Sequence, residues 1–330
     1  MAQDQPLRTG LLGETANYGR RSMKWARWSV GSDGEMHDQD IGVFCKIHEF
    51  RVGAVLVRTE HSGDAPRLDA IGKRRQVICC GLGHRPSFCS TSAAASYIRL
   101  GQTRAKLADL AMVGISHLHP DHTSDLAALM WGSNRLRVEP LPIVGPSGND
   151  VAPDFTTFLS RMFDAKSGAY QVLGSTLGAE QPGTERPRLD VRIVDVTKTE
   201  PTKVLDRDGI SVTALRIPHA NLPTLAYRVE TRGVSVVFSS DQNGTDRKFV
   251  DFAKNANVLI MHLAIASSAP PSSLHASPAL VGRLGQEAGA KRLILGHIGQ
   301  FDLDPAIADV KKAYTGALTV GGDLQCTPVQ

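Results

Sequence analysis

Short apolar runs alternate with segments of helical spacing through most of the chain. Apolar residues spaced three and four apart predict helices over residues 154–164 and 278–288, and a third helix that begins near residue 123 with Thr123 or Ser124 as its N-cap. Residues 174–188 are rich in Gly, Pro and Glu and predict an exposed loop. The apolar or alternating runs predict strands over residues 51–58, 77–80, 110–115, 141–146, 191–196, 211–217, 225–229, 235–239, 258–261 and 292–295.

This mixture of strands and helices indicates an α/β protein. A chain of 330 residues with 42% hydrophobic residues can form one large domain or two smaller ones. Residues 1–50 show no period, and we expect a poorly defined N-terminal segment there. Residues 146–188 lie between His122 and His219 and could form a helical lid or a contact in a homodimer.

The charge and the cysteine content exclude few classes of function. The formal net charge is +4, aromatic residues make up 5% of the chain, and no run of basic residues alternates with aromatic ones, so a dedicated nucleic-acid surface is not indicated. The five cysteines lack the spacing of a zinc ribbon or of a disulfide framework. No segment resembles a signal peptide or reaches membrane-spanning length. We therefore expect a soluble, cytoplasmic protein without a membrane partner.

The strand predicted over residues 110–115 leads into the sequence HLHPDH, which holds three histidines and an aspartate within six residues. Alternate residues of an extended segment point to one side, so His117 and His119 would lie together. Asp121 and His122 would then face the same space from the start of the next helix. A polar surface turn is the alternative, but four potential ligands in six residues favour a metal site.

Three other predicted strands also end on a residue that can bind a metal ion. A histidine at a strand end can equally be a hydrogen-bonded core residue, and an aspartate before Gln-Asn-Gly can be a turn residue. Together with HLHPDH, however, they bring the total to five histidines and two aspartates, a ligand set that suits two divalent ions of zinc type. The three residues are His219, Asp241 and His297.

These segments resemble those of metallo-β-lactamase superfamily hydrolases, and within them the ribonuclease Z and arylsulfatase branch. The similarity runs from about residue 105 to residue 300 and implies a single domain with the metallo-β-lactamase four-layer αβ/βα sandwich, with two sheets face to face and helices outside. The matching segments are HLHPDH, His219 to Val229, Phe238 to Asp241, and Leu293 to His297.

The resemblance implies a dinuclear site, with zinc as the expected metal and manganese or iron as alternatives. One ion would be bound by His117, His119 and His219. The other would be bound by Asp121, His122 and His297, and Asp241 would bridge the two ions.

Two further histidines fall where this branch carries additional ones. His262 ends the strand predicted over residues 258–261, and Leu263 stands where the ribonuclease Z family has an acidic residue. His275 begins the segment His-Ala-Ser ahead of the last predicted helix. Each is either a structural residue or a catalytic one that protonates the leaving group, because imidazole titrates close to neutral pH. Asp121 would serve as a ligand and orient the nucleophile.

We therefore expect a dinuclear metal-dependent hydrolase that uses a metal-bridging hydroxide on a small ester, lactone, sulfate or phosphodiester. One alternative is a transfer RNA 3′-end endonuclease, for which the short connection over residues 230–233 is unfavourable because it leaves no room there for an RNA-binding arm. Another is an inactive metal-binding scaffold.

The N-terminal third departs from the family. The Gly-rich turn after the first strand and the later Asp-x-Gly element are both missing in clear form. Either this third has diverged, or part of it derives from an altered reading frame.

Overall fold

The protein is represented by a computed structural model that describes residues 55–58, 76–80, 97, 110–132, 139–179, 186–322 and 325–329. The N-terminal segment predicted over residues 1–50 lies outside the described residues. So does most of the region to which the reading-frame question applies.

The strands are β1 (Val55–Arg58), β2 (Gln76–Cys80), β3 (Val113–Gly114), β4 (Leu141–Pro146), β5 (Leu189–Val194), β6 (Thr202–Arg207), β7 (Ile210–Arg216), β8 (Leu225–Thr231), β9 (Val234–Phe238), β10 (Val258–Leu263), β11 (Arg292–Ile298), β12 (Ala317–Val320) and β13 (Cys326–Val329). The helices are α1 (Pro120–Thr123), α2 (Leu126–Gly132), α3 (Phe155–Phe163), α4 (Lys248–Phe252), α5 (Pro278–Glu287) and α6 (Leu303–Ala313), with a 3₁₀ helix at Gln171–Leu177.

Two sheets carry the fold of the described region. The larger has seven strands in the order β12-β11-β10-β9-β8-β7-β6, antiparallel from β6 to β9 and parallel from β9 to β12. The smaller is a parallel sheet of β3, β4 and β5. A third, antiparallel sheet has the order β1-β2-β13.

Apolar side chains from the two main sheets meet in an inner core. The outer face of the large sheet packs against α4, α5 and α6, and that of the small sheet packs against α2 and α3. The layers are therefore helix, sheet, sheet and helix, which confirms the predicted four-layer αβ/βα sandwich. Residues of the inner core include Met112, Val144, Tyr227, Phe238 and Ile260.

Strand β10 is apolar from Val258 to Met261, and both of its faces are buried. Val258 and Ile260 face the inner core, while Leu259 and Met261 face the helices outside. A strand with both faces buried needs apolar residues throughout, because neither face reaches water.

The helix that follows His119 begins earlier than the sequence predicts. The expected N-cap at Thr123 or Ser124 is wrong: helix α1 begins at Pro120, and the extended residue His119 occupies the N-cap position. Proline suits the first helical position because its φ is fixed and its missing N–H has no role there. Helix α2 then follows after a turn at residues 124–125.

The exposed loop predicted over residues 174–188 is also partly wrong. Residues 173–176 are buried within the 3₁₀ helix, and Leu173 packs into the core beside α3. Helix α3 itself lies on the small sheet through Phe155, Leu159 and Phe163. The lid or dimer role of this region stays a prediction.

None of the described helices has the length and apolar character needed to cross a membrane.

Candidate metal centre

The seven predicted metal ligands converge at one edge of the sandwich. They follow the C-terminal ends of β3, β7 and β9 or lie near the end of β11, so strands of both main sheets contribute. Their ligand atoms form three overlapping groups, and within each group all atoms lie within 4.8 Å of one another. The groups are His117, His119 and His219; His117, His122 and Asp241; and Asp121, His122 and His297.

The loop that carries His117 and His119 is held firmly from beneath. The amide of Leu225 donates to the carbonyl of Ser116 at 2.9 Å, and the buried hydroxyl of Tyr227 donates to the carbonyl of Ile115 at 2.9 Å. Both donors belong to the large sheet, whereas the loop belongs to the small one. The two sheets are thus fixed to each other directly below the ligands.

His219 is oriented by a backbone carbonyl. Its Nδ1 lies 2.8 Å from the carbonyl oxygen of Leu274, so Nδ1 donates and Nε2 keeps its lone pair. This Nε2 is buried and has no hydrogen-bond partner among the described residues. Histidines that bind metals usually donate their other N–H in this way. The next residue, Ala220, adopts a left-handed φ of 47° and donates its amide to Ser273.

Asp241 lies between two imidazoles. One carboxylate oxygen is 3.3 Å from His122 Nε2 and the other is 3.0 Å from His297 Nδ1. Burial alone would raise the pKa of Asp241, but the neighbouring His297 and His122 hold it well below its usual range. The carboxylate is therefore ionised, with its two oxygens on opposite sides, as a bridging ligand requires.

His297 is aimed into the centre by an irregularity in β11. His262 pairs with Gly296 and Leu263 pairs with Ile298, so His297 is an extra residue in the ladder, and its φ is 44°. Bulges of this kind redirect a side chain and are common beside active sites. Ala220 and Ser240, which are adjacent to His219 and Asp241, and His297 itself all have the unfavourable left-handed backbone conformation.

The protonation states also suit a metal. Burial lowers the pKa of His117 well below its usual value, and burial likewise lowers the pKa values of His119 and His219. Neutral imidazole is the form that binds metals. The orphaned Nε2 of His219 and the ionised Asp241 in this cluster fit a pair of divalent ions.

His262 and His275 also lie beside the centre, but in different settings. His262 is fully buried, and its Nε2 accepts a hydrogen bond from the amide of Ala276 at 3.1 Å. His275 is half-buried, and its ring centroid is 5.3 Å from that of His219 and 5.6 Å from that of His297.

The expectation that these two imidazoles titrate close to neutral pH is wrong for the protein alone. Burial lowers the pKa of His262 to about 3 and that of His275 to about 4. Leu263, which replaces the family's acidic residue, is buried among the outer core residues. It therefore offers no carboxylate that would keep a neighbouring imidazole protonated.

Two supporting groups were not predicted as part of the site. Tyr227 lies within the segment His219 to Val229, which carries the family resemblance, and its polar hydroxyl within an apolar strand is the available signal, because a buried hydroxyl needs a partner. The Leu274 carbonyl gives no sequence signal, since every residue has one.

Comparison with known proteins places these residues in a family. The model of a family described as "Beta-lactamase superfamily domain" matches residues 86–298, which include all seven candidate ligands. Ribonuclease Z of Mycobacterium bovis (strain BCG / Pasteur 1173P2) is 25% identical over 237 residues, which cover 66% of this chain and 79% of the relative. Ribonuclease Z of Mycobacterium sp. (strain KMS) is 30% identical over 149 residues, or 42% of this chain and 47% of that protein.

Solved structures show the same fold. The metallo-beta-lactamase fold protein YhfI from Bacillus subtilis superposes with a TM-score of 0.56 at 19% identity, covering 78% of this chain and 94% of that one. Human tRNase Z, short form, superposes with a TM-score of 0.55 at 16% identity, covering 78% of this chain and 93% of the human one.

Proposed function

The chain belongs to the beta-lactamase superfamily and is a hydrolase, and on that premise we propose that it is a zinc-dependent phosphodiesterase that cleaves transfer RNA near its 3′ end. The similarity to proteins named ribonuclease Z carries this proposal, since it extends over 66% of the chain. The ligand arrangement agrees with it, because two-metal sites recur in nucleases and phosphatases.

Each side chain of the centre has a distinct task in this proposal. His117, His119 and His219 would hold one ion and Asp121, His122 and His297 the other, with Asp241 between them. Bound divalent ions supply Lewis acidity and lower the pKa of water.

The residues at the open side of the centre would handle orientation and proton transfer. The carboxylate of Asp121 is 30% exposed, so it can orient the attacking water by accepting a hydrogen bond. His275 is better placed than His262 to reach the leaving oxygen, because His262 is buried and its Nε2 is already engaged by Ala276. Since burial lowers the pKa of His275 to about 4, its ring would have to take up a proton as substrate binds before it could protonate that oxygen.

A direct test compares variants of the ligands with a variant of a distant carboxylate. His119→Ala and Asp121→Asn should each lower cleavage of a 3′-extended precursor transfer RNA by at least about a hundredfold, because even changes to the partners of metal ligands cost 10–100-fold. Asp206→Asn is the control, since its carboxylate is 62% exposed on β6. Full activity of His119→Ala would refute the mechanism.

A small ester, lactone, sulfate or phosphodiester is the second candidate substrate. The loops over residues 147–154, 217–224 and 264–277, which follow β4, β7 and β10, contain no Lys or Arg. Strands β8 and β9 are joined by Arg232 and Gly233 alone. RNA binding depends on cationic side chains at the phosphates, so these loops favour an uncharged or small substrate.

Activity assays with a panel of substrates at two salt concentrations distinguish the two candidate functions. The RNA proposal predicts cleavage of precursor transfer RNA, with kcat/KM falling steeply as salt rises. Turnover of an aryl phosphodiester, aryl sulfate or lactone without any cleavage of RNA would favour the second candidate. Bound metal without turnover of any substrate would favour an inactive scaffold.

A further inference from the structure

We propose that His275 is an additional metal ligand, which forms a further ligand group with His219 and Asp241. The ligand atoms of these three residues lie within 4.8 Å of one another, as close as those of the groups built from the seven expected ligands. The proposal rests on the presence of metal in the centre and is independent of the substrate.

The segment around His275 is tied to the centre on both sides. The carbonyl of Leu274 accepts the Nδ1 proton of His219, and the amide of Ala276 donates to the carbonyl of Gln242 at 2.7 Å. His275 therefore lies between Leu274, which is hydrogen-bonded to His219, and Ala276, which is hydrogen-bonded to the residue after Asp241. Its position relative to His219 and Asp241 is set by short backbone contacts.

The turn that leads into His275 is itself fixed. The hydroxyl of Ser272 accepts hydrogen bonds from the amides of Leu274 and His275 at 3.1 and 3.2 Å. The Nδ1 of His275 is buried and has no hydrogen-bond partner among the described residues. A buried nitrogen without a partner, beside a carboxylate and another orphaned imidazole nitrogen, has the surroundings of a metal ligand.

Neighbouring His262 also has a buried Nδ1 without a hydrogen-bond partner among the described residues, but its position differs from that of His275. It contributes to none of the ligand groups of the described region, and its Nε2 already accepts the Ala276 amide. The sequence does not distinguish these two histidines, but the structure gives them different positions. His275 lies within a ligand group, and His262 binds the loop that carries His275.

A consequence for the substrate-free protein follows. Catalytic zinc sites keep one coordination position open, and an added imidazole would fill it. Substrate binding at that position would then require His275 to move, and the released ring would have to take up a proton from water before it could act as an acid.

The test uses the full-length protein loaded with zinc. X-ray absorption gives the average number of imidazoles per ion, and competition with a chelator gives the zinc affinity. His275→Ala should reduce the imidazole number and weaken the affinity for one ion at least about tenfold. His262→Gln is the matched control and should change neither quantity, because glutamine retains an acceptor for the Ala276 amide.

His275→Gln preserves most of the side-chain volume and is read in the same way if His275→Ala does not fold. Unchanged imidazole number and affinity in a folded His275 variant, with or without a loss of turnover, would overturn the proposal. If wild-type protein does not cleave RNA but the His275 variants still lose zinc affinity, the substrate proposal fails and this one stands.

Discussion

Tyr227 illustrates how one buried hydroxyl can support a centre that it does not touch. Burial raises the pKa of this phenol well above its usual range, so the hydroxyl keeps its proton and can donate it. It does so to the carbonyl of Ile115, two residues before His117. The side chain itself fills the inner core between the sheets. Its ring thus contributes packing and its oxygen fixes the loop.

Removal of that hydroxyl should have a measurable cost. Tyr227→Phe keeps the ring but takes away the donor to Ile115, and a buried carbonyl without its partner costs about 1–3 kcal/mol. We expect the free energy of unfolding in urea to fall by that amount.

Tyr170→Phe is the control for this substitution. Tyr170 is 48% exposed, and surface changes usually stay within about 0.5 kcal/mol. Equal stability of the Tyr227→Phe and wild-type proteins would show that the hydrogen bond to Ile115 contributes nothing.

Some elements that the sequence analysis did not predict carry a recognisable sequence signal, whereas others carry none. Strand β6 was missed, although Asp208-Gly209 between β6 and β7 is the turn sequence that favours a tight hairpin, and both residues have positive φ. Helix α6 was missed as well. In contrast, the bulge at His297 has no sequence signature, because it arises from the pairing of β10 with β11.

The packing of α5 on α6 gives a prediction at this scale. A Cβ on Gly282 would lie 2.5 Å from the carbonyl oxygen of Val310, so the two helices would have to separate. Gly282→Ala should therefore destabilise the protein by about 1–3 kcal/mol, as overpacking does. This cost should appear despite the gain of about 1 kcal/mol that alanine brings to a helix.

Gly285→Ala in the same helix provides the comparison. Its Cβ would meet side-chain atoms and no backbone, Leu293 Cδ2 at 3.3 Å and Tyr314 Cδ2 at 3.4 Å, so the helix gain should prevail and stability should hold or rise. Thermal unfolding followed by circular dichroism distinguishes the two variants. A stabilised Gly282→Ala protein would contradict the close approach of α5 and α6.

For the whole molecule, the sequence was most informative where a strand delivers one polar residue to its end. HLHPDH, His219, Asp241 and His297 were recognisable because apolar runs precede them, and the structure brings them together. The sequence does not indicate how deeply these side chains are buried or how they are oriented. Those depend on the Leu274 carbonyl, on the bulge at His297 and on burial between two sheets, which are properties of the folded chain.

Because His117 and His119 extend from the small sheet and His219 from the large one, metal bound to all three would link the two sheets. Zinc should therefore stabilise the fold as a whole. At a free concentration one hundred times the dissociation constant, one bound ion adds about 2.7 kcal/mol. For a chain of 330 residues, an unfolding entropy of about 2.1 cal/mol/K per residue converts this into an increase in Tm of roughly 4 °C. Calorimetry with chelated and zinc-loaded protein measures this difference.

A variant separates this linkage from binding at a single sheet. His219→Ala removes the ligand of the large sheet from this group but leaves His117 and His119, so a large part of the zinc-dependent increase in Tm should disappear. Asp206→Asn, which changes an exposed carboxylate of the same sheet, should retain the full increase. If His219→Ala gains as much from zinc as the wild type, the ion does not join the sheets through His219, and the contacts of Tyr227 and Leu225 fix the loop without that link.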